Sequence, residues 1–194
     1  MDIKKKIKIP NINLNEINEF IKKIGKKNLK SFKYYNNPNK LEKNNQPYKP
    51  EIYDLYFLYK LITLNKRLSL LEFGSGWSTL ALSIGLNENK QKYINKVKNL
   101  RFEKPFSLVT VDNEKKFLDI TKKRIKKFYK NNQSVEIKYH FSNVEMCTHD
   151  GRICHEYSNL PMVNPDFIYL DGPDQFNIKG KINNFHIGHE DLMP

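Results

Sequence analysis

The stretch "LSLLEFGSGWSTLALS", Leu68 to Ser83, decides how the rest of the chain is read. A short apolar run carrying Glu72 meets Gly74-Ser75-Gly76, and an aliphatic segment follows at once. The run suits a buried strand, and "STLALSIGL" suits a helix. A strand, a small-residue turn and a helix aim backbone N–H groups and the positive end of a helix dipole at one point. Gly74 and Gly76 let the backbone approach a ligand closely and take positive φ. A tight turn with no ligand would use the same residues, so the surroundings have to decide.

Upstream, "EIYDLYFLYKLITLNK" carries apolar residues at helical spacing. Downstream, "FSLVTVD" reads as a second buried strand ending in Asp112. "EKKFLDITKKRIKKFYK" then places Leu118, Thr121, Ile125 and Phe128 on one side and lysines on the other, the pattern of a helix lying on a sheet. "VEIKYHFS" is a third strand and "PDFIYLD" a fourth, with an irregular stretch between them. Strands alternating with helices predict an α/β fold with an open, mainly parallel sheet and flanking helices. Ligands of such sheets sit beyond the carboxyl ends of the strands. Those ends carry Glu72, Asp112, Ser142 with Asn143, and Asp171.

The dinucleotide fingerprint G-x-G-x-x-G needs a third glycine, and Thr79 stands there. Glu72 would also lie beside a pyrophosphate, an unfavourable pairing of anions. A ligand with a cationic amino group suits that carboxylate better. S-adenosylmethionine meets the demand: its carboxylate can rest on the amides of Gly76, Trp77 and Ser78, and Asp112 can accept its ribose hydroxyls.

"LLEFGSGWSTLAL", "LVTVDNEKKFLD" and "FIYLDGPDQF" resemble successive motifs of the class I S-adenosylmethionine-dependent methyltransferases, across roughly residues 50 to 176. The resemblance implies a Rossmann-like sheet and cofactor contacts for Glu72, Gly74, Ser75, Gly76, Trp77 and Ser78. It gives Asp112 the ribose, puts Asn113 near the adenine, and places Ser142 and Asn143 at the adenine edge, where an Asp is more usual. The 38 residues from Gly74 to Asp112 exceed the roughly 20 usual for such folds, which the basic segment from Asn87 to Pro105 explains as an insertion or a solvated helix. Asp171 falls next to the expected methyl group, as a base, a metal ligand, an acceptor-positioning group or a turn acid. Asp174 reads as a turn residue.

"VEMCTHDGRICHEY" gathers Cys147, His149, Cys154 and His155, but without the paired spacing of a zinc site, so no metal is assigned. It reads as a loop near the site, with His149, Asp150, His155 or Glu156 facing an acceptor. His186 and His189 have no partner legible in the sequence.

Residues 1 to 48 form a Lys- and Asn-rich extension, in which Leu14, Ile17, Phe20, Ile21, Ile24 and Leu29 approximate a helical stripe. Asn13 and Glu16 resemble a capping box at its start, and packing on the domain is its expected use. A polar, proline-punctuated linker leads to a domain over residues 49 to 194. Only 23 residues follow Asp171, and a sheet ending at its fourth strand exposes an apolar edge, so the chain is expected to be the N-terminal portion of a longer protein.

The formal net charge of +13 invites nucleic acid, yet only four of the 34 basic residues are Arg. Lys, Asn and Ile are favoured by A/T-rich codons, while the Arg fork used for phosphate and base recognition is scarce. A mean hydropathy of −0.70, no apolar leader and an apolar run broken by Lys60 point to a soluble, cytoplasmic protein without a membrane span. The reading that follows is a methyltransferase with a small-molecule or glycan acceptor. A non-catalytic S-adenosylmethionine-binding or assembly module and a basic RNA-binding protein or RNA methyltransferase are the alternatives.

Overall fold

A computed structural model describes residues 7–11, 13–25, 50–100, 103–130, 132 and 134–183. Leu29, the proline-punctuated linker up to residue 49, His186 and His189 lie outside the described residues. No described helix is long and apolar enough to cross a membrane.

The fold is α/β and Rossmann-like. Four strands, β1 (Ser69–Phe73), β2 (Ser107–Asp112), β3 (Glu136–Phe141) and β6 (Phe167–Leu170), form a sheet in the order β3-β2-β1-β6. Every pairing in it is parallel, so all four carboxyl ends reach one edge. The central strands are buried, as parallel sheets require.

Helix α2 (Ile52–Leu64), α3 (Trp77–Val97) and α4 (Lys115–Tyr129) supply the helical layer. Leu70 and Leu108 of the sheet pack with Leu58 and Ile62 of α2 and Leu82 and Leu86 of α3. On α4, Leu118, Thr121 and Ile125 are buried as their spacing predicts, and Phe128 packs against the same core. The segment expected to be an insertion or a solvated helix is, over residues 87 to 97, the largely exposed second half of α3, one continuous helix of 21 residues. Its polar composition follows from its outward path: only Asn89 and Val97 are buried beyond Leu86.

Helix α1 (Leu14–Ile24) packs on α2 and α3, burying Ile17, Phe20 and Ile24 in a shared core. Asn13 caps it by accepting from the Asn15 amide, but Glu16 does not complete the capping box. Its carboxylate instead takes the Tyr56 hydroxyl at 2.6 Å and the Lys60 ammonium at 2.6 Å. Two turns later, Lys23 donates to Tyr59 and Glu88, and Tyr59 donates to Glu88. Two sets of tyrosine, acid and lysine therefore fasten α1 along its length.

The stretch between the third and fourth predicted strands is not irregular. Strands β4 (Val144–His149) and β5 (Arg152–Tyr157) make an antiparallel hairpin, and β4 also pairs with β7 (Ile178–Lys179), where no strand is legible in the sequence. Asp150 and Gly151 take φ of 48° and 73°, the paired positive values of a type I′ turn. The local signal is Asp-Gly between short alternating runs; its polar strands obscure it. Val144, Met146 and Ile178 give this small sheet its own core.

Candidate functional site

At the carboxyl edge of the sheet, the turn after β1 meets the turn after β6. Gly74 has φ of +91°, and a Cβ there would stand 2.5 Å from the Asp171 carbonyl oxygen. A Cβ on Gly172 would lie 2.8 Å from the Gly74 nitrogen. The two backbones touch only because both residues lack side chains. Asp171 is thus fixed beside the glycine turn, and Gly76 faces open space with nothing within 4 Å of its missing Cβ.

Glu72 lies beneath this turn and is fully buried, at 0% exposure. Its two oxygens accept from the Ser78 hydroxyl at 2.6 Å and the Thr79 hydroxyl at 2.7 Å. Burial raises its carboxyl to about 7, against the pull of hydrogen bonds from Ser78, Thr79 and Thr110. Thr79 also accepts from the Gly76 amide at 3.0 Å. Glu72 therefore pins the first turn of α3 and does not reach the surface of the cleft, and Ser78 is committed to it.

Asp112 is 2% exposed. One of its oxygens takes both the amide and the hydroxyl of Ser75, at 2.8 and 2.6 Å, and the other takes the Glu114 amide at 2.9 Å. Burial raises its carboxyl, and these bonds oppose the rise. Asn113 exchanges two hydrogen bonds with the Asp174 backbone, at 2.9 and 2.8 Å, tying the β2 end to the loop after β6. Asp174 precedes the short 3-10 turn Gln175–Asn177, and its carboxylate accepts from the side-chain amide of Asn177.

Ser142 is buried; its hydroxyl accepts from the Asn159 amide, and its own amide donates to the Asp112 carbonyl. Asn143 is exposed and accepts from Lys179 at 3.2 Å. The Trp77 ring turns toward the helical core, and the Arg124 guanidinium covers it at 4.3 Å. Asp171 is exposed on one side; partial desolvation raises its carboxyl, a hydrogen bond from Tyr169 lowers it, and Asp54 of α2 raises it.

Four contributors escape the sequence reading. Tyr169 lies two residues before Asp171 on the same strand face, a relation legible in the strand period. Thr79 sits three residues after Gly76, the capping spacing. Tyr157 of β5 packs with its ring tilted against Phe73, centroids 5.0 Å apart, and Asp54 arrives from α2; both meet the site only through tertiary packing. His149 and Asp150 sit at the exposed hairpin tip, 84% and 91% exposed as side chains. Among the described residues, no three His, Cys, Asp or Glu side chains gather as a metal centre. A groove of about 300 Å³ lined by Ser69, Ser107, Lys138 and Met162 lies at the other end of the strands.

No protein-family model matches the chain, and no curated protein matches it.

Proposed function

We propose that this chain binds S-adenosylmethionine at the carboxyl edge of its parallel sheet and transfers the methyl group to a small-molecule or glycan acceptor. One observation carries the reading. The glycine turn after β1, Asp112 ending β2 and Asp171 following β6 meet at one sheet edge, where the order β3-β2-β1-β6 reverses direction. The open space over Gly76 suits the close approach of a ligand carboxylate to the amides of the α3 terminus. Bound there, the cofactor supplies an electrophilic methyl group on a sulfonium.

Asp112 offers its carboxylate to the ribose diol once Ser75 yields, and Asn113 and Asn143 border that position. Glu72 serves as a positioning residue, holding Ser78 and Thr79 so that the first turn of α3 keeps its aim. Asp171, with its raised carboxyl, accepts the proton that the acceptor loses.

Calorimetry with S-adenosylmethionine tests the reading. Binding is expected, with Asp112→Asn weakening it at unchanged circular dichroism. No binding by the wild type, or equal binding by that variant, rejects the assignment. Binding without transfer to any acceptor would leave the non-catalytic module in its place.

A second reading is favoured by the lysines of α4. Lys122, Lys123, Lys126, Lys127 and Lys130 are exposed along one side of this helix, and none of the ion pairs among the described residues includes them. Such a stripe suits a phosphodiester backbone, as in an RNA-binding protein or RNA methyltransferase. It predicts RNA affinity falling with salt at a slope of about −0.7 per contacting lysine. Negligible affinity at low salt removes it.

A further inference from the structure

We propose that Cys147 and Cys154 are an oxidation site, a dithiol that a small-molecule disulfide such as oxidised glutathione converts into an intramolecular disulfide. The two residues are direct partners across the β4–β5 hairpin, and their sulfurs lie 3.1 Å apart. Antiparallel partners hold their Cα atoms about 4.5 or 5.5 Å apart, and both spacings fall within the reach of a disulfide. The hairpin ladder, closed by the Asp150-Gly151 turn, keeps the pair in register.

Access is also provided. Both thiols are partly exposed, and their neighbours on the same face, Glu145, His149, Arg152 and Glu156, are all exposed. The inner face, with Val144 and Met146, keeps its contacts whether or not the sulfurs are joined. These are the only cysteines of the chain, so no other thiol in it competes for the exchange.

One thiol, after losing its proton, attacks a sulfur of the oxidant and releases one molecule of reduced thiol. The second thiol loses its proton and attacks the protein-bound sulfur, forming the Cys147–Cys154 bond and releasing another reduced thiol. The protein loses two electrons and two protons, and the oxidant gains both. The bond would tie β4 to β5, whose Tyr157 lies near Phe73 at the sheet edge. The proposal does not depend on the cofactor reading.

The full chain is incubated with oxidised glutathione, then denatured for thiol counting and intact-mass measurement. The count is expected to fall from two to zero, with a monomer lighter by two hydrogens and no glutathione retained. In Cys147→Ser, the remaining thiol should instead keep its glutathione adduct. Two persisting thiols, stable adducts on both cysteines of the wild type, or disulfide-linked dimers would each overturn the proposal.

Discussion

Ser75 donates twice to one oxygen of Asp112, from its amide at 2.8 Å and its hydroxyl at 2.6 Å. The glycine turn is thereby latched to the end of β2 by the same carboxylate that the proposed function assigns to a ribose. The two uses compete for lone pairs on that oxygen. Ser75→Ala removes the hydroxyl from the competition and leaves the amide in place. Its affinity for S-adenosylmethionine is expected to rise by up to about tenfold, roughly 1.4 kcal/mol. Calorimetry reads the difference, and a loss of affinity would make Ser75 a ligand contact instead of a latch.

Glu72 predicts a pH dependence of stability. Its carboxyl is raised from 4.5 to about 7 by burial, so the native state holds its proton more tightly than the unfolded chain does. Its stabilising effect is full below about pH 4.5 and is lost as the pH rises through 7. Glu72→Gln should abolish this component, with a difference on the order of 3 kcal/mol between pH 4 and pH 8. Urea unfolding of both proteins across that range is the measurement, and parallel pH profiles would contradict it.

Asp171 has two neighbours that act on it in opposite directions. Tyr169 lowers its raised carboxyl through a hydrogen bond, and Asp54 raises it by repulsion. Tyr169→Phe should therefore move the carboxyl further up, and Asp54→Asn should move it down. Carbon-13 NMR titration of Asp171 distinguishes the two shifts. Movement in the same direction for both variants would show that the neighbours have been misassigned.

Helix α1 is integral to the core. Phe20 is 1% exposed, stacks on Tyr59 at 4.9 Å and meets Tyr56 edge-on at 6.0 Å. Phe20→Ala should cost about 3–5 kcal/mol in a single cooperative transition. A helix that frayed independently would cost far less, and the main transition would not move.

The sequence by itself determined the parallel strands, the helices between them and the polar residues at the strand ends. These rest on local period and on turn chemistry at Gly74, which act over a few residues. It also marked Asp112 and Asp171, because an acid that ends a buried apolar run has one direction in which to reach water. The β4–β5 hairpin was carried by the Asp-Gly pair at residues 150 and 151, yet the apolar alternation beside it is short, Val144 and Met146 on β4, and is masked by the polar, half-exposed residues around it. Tertiary structure alone decided how the marked residues are used. Ser75 and Asp112 are 37 residues apart, and the parallel register of β1 and β2 brings them together. Glu72, which the sequence places at a ligand, is turned inward because its strand face meets the helices, where Ser78 and Thr79 can satisfy a carboxylate removed from water.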